Sequence, residues 1–283
     1  MLNPNNYLRQ VSFQRIVPLK FKKIERRNLF MLDNKKIYQS TEEFNTWAYG
    51  KGLKFEEKYL IDNYLDKHLK TVEAGTAGGR ILLEMRRMGF TSLIGYDYVP
   101  EFIEQAKQKD PSSEITFEVE DATKLSYVDD SFAQILYLQQ IISSIDGDQA
   151  KLKAFEEAYR ILKPGGTALF SFLCFEVRAQ TLIYKPYLVY LRILRSLQAK
   201  SLSLQYLPWL KLGGKWNLSA LLDREPYVYW YRPQEVERLL KTVGFEVTAV
   251  GSSAQIEGDS MCTSVEELAR QPLAGGLYFV CTK

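Results

Sequence analysis

The sequence predicts an α/β protein built on one doubly wound, mostly parallel sheet of seven strands, with a helical cap inserted after the fifth strand. From residue 71 onward, short apolar runs alternate with amphipathic segments of about 10–15 residues, a pattern typical of strands joined by crossover helices on both faces of a sheet. Residues 176–230 interrupt this alternation. They are too long for a simple connection, so we expect them to form a structure of their own.

Each element has its own signal in the sequence. Residues 41–69 are predicted to be helical, because apolar and aromatic side chains recur there at intervals near 3.6 residues. Seven apolar runs are predicted strands: 71–74, 92–96, 115–119, 132–138, 167–174, 245–250 and 276–281. Four amphipathic segments are predicted helices: 79–88, 101–109, 148–162 and 233–243. No linker divides the chain, so residues 41–283 are predicted to be one domain with 176–230 as an inserted cap.

The first 40 residues are predicted to form a basic arm. They hold nine Lys and Arg side chains against Glu25 and Asp33, which gives +7 and leaves −4 for the rest of a chain whose net charge is +3. Such asymmetry is typical of contact with an anionic partner. A solvated arm lying loosely across the domain is the alternative, which we favour.

Nothing in the sequence indicates secretion, a membrane span or a metal site. The N-terminal residues are polar, and no apolar run approaches the roughly 18 residues of a spanning helix. Cys174, Cys262 and Cys281 are far apart and form no CxxC pair, so neither a disulfide framework nor a zinc site is supported. We therefore expect a soluble, cytoplasmic protein without a metal.

A glycine-rich turn is predicted between the first strand and the next helix, within residues 71–85 (TVEAGTAGGRILLEM). Glycines at 75, 78 and 79 permit positive φ and let a ligand approach the backbone. The helix that opens directly after them offers unpaired N–H groups to a ligand that carries a carboxylate. Turns of this kind are common, so this motif alone is a weak signal.

A carboxylate at the end of the second predicted strand strengthens it. Asp97 stands 22 residues after Gly75, a separation at which an acidic residue can accept hydrogen bonds from both ribose hydroxyls of a nucleoside cofactor. The alternative is that Asp97 caps the helix that starts near Pro100.

The same residues favour a cationic nucleoside over a dinucleotide. Arg80 stands where a dinucleotide fingerprint has its third glycine, which argues against a nicotinamide oxidoreductase as the rival enzyme class. Glu73, Asp97 and Asp121 all fall near strand ends. Three carboxylates around one pocket oppose a pyrophosphate and favour a positive charge.

Together with three later segments, these motifs resemble the class I S-adenosylmethionine-dependent methyltransferases, particularly their small-molecule branch. Residues 73–79 resemble the family's glycine loop, with Ala77 in place of the middle glycine, which is tolerable if its φ is negative. The later segments are 119–138 (VEDATKLSYVDDSFAQILYL), 157–166 (EAYRILKPGG) and 231–245. Ala133 departs from the family, which commonly has aspartate there.

The resemblance implies a Rossmann-like fold, S-adenosylmethionine as cofactor and a set of residues that bind it. The implied cofactor-binding residues are Glu73, Gly75, Thr76, Ala77, Gly79, Asp97, Tyr98, Asp121, Ala122, Leu138 and Gln139. Asp121 would accept a hydrogen bond from the adenine amine.

It also implies a small-molecule methyl acceptor, hydrophobic or aromatic, methylated by preference at oxygen. The implied acceptor-binding residues are Trp47, Tyr49, Gln140 and Tyr231. Gln139 and Gln140 would border the transferred methyl group, although turn chemistry explains them equally well. No residue is assigned as a general base, and His68, the only histidine, is predicted to lie at the end of the helix before the first strand.

Other acceptors and roles stay open as alternatives. No Asn-Pro-Pro-Tyr-like run follows the fourth strand, so amino methylation of adenine or glutamine is not indicated. A nucleic-acid partner is not expected. A lipid-linked or nucleic-acid acceptor, or a methyltransferase-like binding protein without turnover, are the alternatives. The oligomeric state is not predicted.

The cap is predicted to roof the acceptor. Arg178, Lys185 and Arg192 are seven residues apart and would share one stripe of a helix that Pro186 divides in two. A lid packed on the core is the favoured interpretation. Peripheral contact with an anionic membrane is the alternative.

Overall fold

A computed structural model describes residues 37–38, 41–212 and 215–283 of the chain. All the described residues belong to one compact unit. The predicted basic arm over residues 1–40 lies outside the described residues, apart from Ile37 and Tyr38.

The seven predicted strands all form, and four very short strands lie between the fifth and the sixth of them. In chain order the strands are β1 (Thr71–Ala74), β2 (Leu93–Asp97), β3 (Ile115–Val119), β4 (Phe132–Tyr137), β5 (Leu162–Leu173), β6 (Tyr206–Pro208), β7 (Lys211–Leu212), β8 (Lys215–Trp216), β9 (Tyr227–Tyr229), β10 (Glu246–Ser252) and β11 (Gly276–Thr282). The seven-stranded sheet predicted from the alternation is confirmed.

Helices flank these strands at nearly the predicted positions. They are α1 (Thr41–Ala48), α2 (Phe55–Tyr64), α3 (Arg80–Arg87), α4 (Pro100–Lys109), α5 (Ile141–Ser144), α6 (Asp148–Ile161), α7 (Phe175–Gln180), α8 (Lys185–Leu197), α9 (Pro233–Val243), α10 (Ser253–Glu257) and α11 (Val265–Leu268), with a 3-10 helix at Leu218–Leu222. None of the described helices has the length and apolar character needed to cross a membrane.

The strand order creates a crevice in the middle of the sheet. The order is β10-β11-β5-β4-β1-β2-β3. Strands β1 to β5 are parallel to one another, and β11 is antiparallel to both β5 and β10. The chain runs outward from β1 to β2 and β3, then returns to β4 on the other side of β1. This reversal places a topological switch point between the carboxyl ends of β1 and β4, where ligands bind in open α/β sheets.

Alternation along the strands gives the sheet an apolar core on each face. Ile135 and Tyr137 of β4 belong to one buried cluster, whereas Leu136 and Leu138 belong to the other. Successive side chains of a strand point to opposite faces, so a strand buried on both sides reads as a continuous apolar run, as parallel strands do.

The segment before β1 differs from its prediction. Instead of one helix over 41–69, α1 and α2 are separated by residues 49–54, which include Gly50 and Gly52. Gly52, in the segment between the two helices, has φ +70°, a left-handed conformation that glycine adopts at little cost. His68 lies in a turn beyond the end of α2 and is exposed, so the prediction that it closes that helix was wrong.

The cap is mixed rather than purely helical. Helices α7 and α8 are followed by two antiparallel pairs, β6 with β9 and β7 with β8. Pro186 lies in the first turn of α8 and does not divide it, because proline is well accommodated where the N–H is unpaired. Arg178 lies on α7, with its guanidinium 3.6 Å from the Tyr184 ring centroid. It therefore shares no stripe with Lys185 and Arg192, and the three-residue stripe was wrong.

Candidate active site

A cavity of about 910 Å³ opens at the carboxyl ends of β1, β2, β3 and β4. Its volume lies toward the upper end of the roughly 300–1,000 Å³ typical of ligand pockets. The loops after these strands each contribute to it. The predicted residues that line it are Gly75, Ala77, Asp97, Tyr98, Asp121, Ala122, Gln139, Gln140 and Trp47. The switch point of the sheet and the predicted site therefore coincide.

The glycine turn after β1 has the backbone conformation that its sequence requires. Gly75 has φ +60° and Gly79 has φ +76°, and Gly79 precedes the first residue of α3. Ala77 has φ +46°, so the expectation that its φ would be negative was wrong. A left-handed alanine costs about 1–2 kcal/mol, and strain of this kind persists where the surrounding structure fixes it.

Asp97 fixes that turn through hydrogen bonds to the backbone. Its Oδ2 accepts from the N–H of Ala77 at 3.0 Å, and its Oδ1 accepts from the N–H of Val99 at 3.0 Å. Val99 is the residue that caps α4. Asp97 is buried and also lines the cavity. The capping role and a place in the site are therefore compatible.

Glu73 lies beneath the turn with half of its carboxylate unsatisfied. Its Oε2 accepts from the Thr76 hydroxyl at 2.6 Å, whereas its buried Oε1 accepts no hydrogen bond from any described residue. Burial raises the pKa of Glu73 to about 8, although the Thr76 hydroxyl and the Arg80 charge act in the opposite direction. Neither Glu73 nor Thr76 is among the residues that line the cavity.

Replacing Glu73 with glutamine is expected to remove a pH-dependent loss of stability. Because the folded-state pKa of about 8 lies above the ordinary value of 4.5, the folded protein holds this proton more tightly than the unfolded chain. The free energy of unfolding therefore falls as pH rises from about 4.5 to about 8, by on the order of 4 kcal/mol, and levels off above. The amide of the variant can still accept the Thr76 hydrogen bond and has no charge to bury.

Chemical denaturation of both proteins at about pH 5 and about pH 8 measures this difference. Glu156→Gln, on the exposed side of α6, is the matched control and should follow the wild type. Equal pH dependence of the wild type and Glu73→Gln would contradict the expectation.

Two consecutive glutamines after β4 adopt a strained backbone. Gln139 and Gln140 both have φ +60°, and the N–H of Gln140 donates to the Ser171 hydroxyl at 3.0 Å. Left-handed residues other than glycine cluster at functional sites, and both glutamines line the cavity. Leu138, the preceding residue, is buried in the core and does not line it.

Asp121 follows β3, and its side chain hydrogen-bonds to the residue two positions later. Its Oδ1 accepts from both the N–H and the hydroxyl of Thr123, each at 2.8 Å. Glu120 and Lys124 line the same part of the cavity. With Asp97 and Asp146, the lining carries four carboxylates, which suits a ligand that is positively charged.

An aromatic wall adds residues that sequence reasoning did not assign to the site. Tyr38 and Trp209 line the cavity with Trp47, and the Tyr38 and Trp209 rings meet edge to face with centroids 5.9 Å apart. Trp209 lies in the cap between β6 and β7. Asp146 and Ser144 also line the cavity. Nothing in their local sequence marks them, because only the tertiary fold brings these segments together.

Three other predicted residues lie away from the cavity. Tyr49 lines a separate depression together with Arg80 and Lys109. Tyr231 is buried in the core, with its ring centroid 5.0 Å from Phe172. Gly79 stands at the start of α3, where a Cβ would come within 2.8 Å of Phe117, so it serves close packing of helix against strand. Their assignment to ligands stays a prediction.

Comparison with known proteins shows a methyltransferase-domain match and a shared fold. Residues 72–170 match a family model described as a methyltransferase domain. A SAM-dependent methyltransferase from Methanosarcina mazei has the same fold, with a TM-score of 0.59 and 19% identity over 79% of this chain and 96% of its own. The chain therefore contains a segment that matches a methyltransferase domain, and it has the fold of S-adenosylmethionine-dependent methyltransferases.

Other solved structures share this fold. An S-adenosylmethionine-dependent methyltransferase from Mesorhizobium loti is 18% identical, with a TM-score of 0.51 over 81% of this chain and 98% of its own. The SpnF cyclase is 16% identical, with a TM-score of 0.52 over 81% of this chain and 80% of its own. At these identities the likeness shows the fold. No curated protein matches the chain.

S-adenosylmethionine is the cofactor that the methyltransferase-domain match supports, and the residues that line the cavity fit it. The cavity carboxylates Asp97, Glu120, Asp121 and Asp146 suit a ligand that bears a sulfonium and an ammonium. A Cβ at Gly75 would lie 2.3 Å from the Ile141 Cδ1, so glycine is needed there for close packing of the turn against α5.

Proposed function

We propose that this protein transfers a methyl group from S-adenosylmethionine to a small hydrophobic or aromatic acceptor, by preference at oxygen. The observation that carries the proposal is that one cavity is lined both by the glycine turn with its carboxylates and by the aromatic side chains of Tyr38, Trp47 and Trp209. When bound, the cofactor supplies an electrophilic methyl group and leaves as a neutral thioether. The protein then has to hold the acceptor in line with it, and proximity and orientation supply roughly 7–11 kcal/mol in well-aligned sites.

The cofactor end of the cavity is assigned to the residues around β1, β2 and β3. The backbone of Gly75 and Ala77 would face the amino-acid part of the ligand, and Asp97 would accept from the ribose hydroxyls. Asp121 and Ala122 would flank the adenine. The support for these roles is the shared cavity together with the hydrogen bonds that already fix Asp97 and the turn.

The acceptor end is assigned to the aromatic wall with Gln140. The indole N–H of Trp209 is buried and donates to no described residue. Trp209 lines the cavity, so its ring contributes an aromatic surface to the acceptor end. Burial raises the pKa of Tyr38 to about 12, so its hydroxyl stays neutral near neutral pH and can orient a substrate by hydrogen bonding.

Methyl transfer from labelled S-adenosylmethionine to a panel of water-soluble phenols and aromatic acids tests this function. Trp209→Ala is expected to raise the KM for a turned-over acceptor by about tenfold, which is about 1.4 kcal/mol of lost binding, and to leave S-adenosylhomocysteine affinity within about twofold. The matched control is Trp216→Ala, since Trp216 is 71% exposed and lies outside the cavity.

Cofactor binding without turnover of any acceptor would instead favour a methyltransferase-like binding protein, and turnover of RNA or DNA alone would favour the nucleic-acid alternative.

We also expect a cytoplasmic location, which the three buried, free cysteines support. Detection of the protein outside the cytoplasm would contradict this expectation.

A further inference from the structure

Exposed apolar side chains are concentrated on the cap. Ten of the fifteen large hydrophobic residues that are exposed among the described residues lie between 182 and 222. They are Leu182, Ile183, Val189, Tyr190, Ile193, Leu197, Trp216, Leu218, Leu221 and Leu222, and we call them the outer apolar face. Scattered exposed hydrophobic residues need no explanation, whereas a concentration of them marks an interaction site.

Helix α8 presents this face on the side turned away from the protein. Val189, Ile193 and Leu197 follow one another at four-residue spacing and lie on one stripe of the helix, with Leu197 80% exposed. Leu191 and Arg195, on the opposite stripe, are buried. A surface helix normally directs its apolar stripe toward the core, so this stripe is not explained by packing within the described chain.

A buried ion pair fixes the rotation of α8. The Arg195 Nε and Nη2 atoms donate to Asp223 at 2.8 and 2.7 Å. Arg195 also donates to the carbonyl oxygens of Ser203 and Tyr206, and Lys200 donates to Asp223 at 2.9 Å. Turning the apolar stripe inward would break this network and leave charges buried without partners, which is strongly destabilising.

The face continues from α8 onto the 3-10 helix. The Tyr187 hydroxyl donates to the Ala220 carbonyl oxygen at 3.1 Å, and the Tyr190 hydroxyl donates to that of Leu221. These bonds hold the 3-10 helix alongside α8. Its exposed Leu218, Leu221 and Leu222 therefore extend the same surface.

The segment that bears this face is basic and contains no acid. Between residues 177 and 222 the chain has no Asp or Glu and seven basic residues: Arg178, Lys185, Arg192, Arg195, Lys200, Lys211 and Lys215. Lys185 and Arg192 lie two helical turns apart along one edge of the apolar stripe. Both are exposed, and neither makes an ion pair with another described residue.

The combination of apolar and basic side chains indicates which kind of partner binds the outer apolar face. An anionic bilayer offers an apolar boundary beneath negative headgroups and matches both components. A second copy of the chain across a two-fold axis would bring the same patch, and so the same positive charge, against itself. Charge complementarity therefore favours a lipid surface.

We propose that the outer apolar face binds the surface of anionic membranes, with Ile193 and Leu197 entering the boundary between headgroups and acyl chains and with Lys185 and Arg192 at the headgroups. The cap also contributes Trp209 and Val228 to the cavity. Membrane binding by the outer apolar face would therefore bring the cap, and with it this part of the cavity wall, to the bilayer. This proposal does not depend on which acceptor the enzyme uses.

Co-sedimentation of the full chain with vesicles tests this. We expect binding to vesicles of phosphatidylcholine with phosphatidylglycerol, weaker binding to phosphatidylcholine alone, and a decrease with added salt. Ile193→Glu with Leu197→Glu, and separately Lys185→Glu with Arg192→Glu, should each lower the partition coefficient about tenfold or more. Val128→Glu (75% exposed) and Lys163→Glu, both on exposed positions outside the cap, are the matched controls and should bind as the wild type does.

Calorimetric titration with S-adenosylhomocysteine reports that each variant is folded, independently of lipid. Absence of co-sedimentation, or equal binding by cap variants and wild type, would overturn the proposal. So would a wild-type dimer that Ile193→Glu with Leu197→Glu converts to a monomer, because a second copy would then occupy the face. Failure of the methyl-transfer assay would leave this result unaffected.

Discussion

Replacing Gly78 with alanine is expected to weaken S-adenosylhomocysteine binding about tenfold or more and to lower the free energy of unfolding by about 2–3 kcal/mol. A Cβ at this position would lie 2.1 Å from the carbonyl oxygen of Ala48 and 2.8 Å from its carbonyl carbon. Both are backbone atoms, so the clash is relieved only if the end of α1 moves away from the glycine turn. Trp47, which lines the cavity, would move with it. Lys109 donates to the carbonyl oxygens of both Ala48 and Gly78 and would lose that geometry.

Calorimetric titration and chemical denaturation measure the two effects. Gly258→Ala is the matched control, because Gly258 has φ −84° and a Cβ there would come no closer than 3.3 Å to its nearest neighbour. That variant should keep wild-type affinity and lose at most about 0.5 kcal/mol. A Gly78→Ala protein with wild-type affinity would show that α1 does not form part of the site.

Replacing Asp97 with alanine is expected to reduce affinity for S-adenosylhomocysteine by at least about tenfold, which is about 1.4 kcal/mol or more. The variant loses a charged acceptor for the ligand, and hydrogen bonds to charged groups contribute about 1.5–3 kcal/mol each. It also frees the N–H groups of Ala77 and Val99. The strained turn and the start of α4 would both lose their anchor, so stability falls as well.

The Asp97→Asn variant separates the contribution of the negative charge from that of the hydrogen bonds to the backbone. Its single side-chain oxygen can hold one of the two N–H groups, and it carries no charge. We therefore expect an intermediate affinity and a smaller loss of stability. Asp129→Ala, which removes an exposed partner of Arg160, is the control. Equal affinities of wild type, Asp97→Ala and Asp97→Asn would refute a role for this carboxylate in the cofactor site.

Local pattern predicted the sheet well and the cap poorly, for a physical reason. Strand β3 and helix α9 form over the predicted residues, because burial on one or two faces imposes a periodicity that is legible in ten residues. Strands β6 to β9 are two or three residues long, too short for any period to be recognised. Their pairing is decided by contacts across the cap, such as the ion pair between Arg195 and Asp223.

The residues of the candidate site likewise fall into those that the sequence predicted and those that it did not. The glycine turn and Asp97 were predictable because a fixed spacing along the chain carries them to the same edge of the sheet. Tyr38, Asp146 and Trp209 come from segments far apart in sequence, and no local signal relates them. The left-handed conformation of Ala77 was also missed, since the sequence names the residue but not the dihedral angle that its neighbours impose.

The position of β11 sets an order for assembly during synthesis. This strand is the last of the seven to leave the ribosome, yet it lies between β5 and β10 and pairs with both. A nascent chain that has completed β1 to β5 holds the whole glycine turn while the edge of β5 is still unpaired, and β10 has no neighbour to join. An open edge of this kind is a template for wrong pairing. The interval before β11 emerges is therefore when the growing chain is most exposed to aggregation.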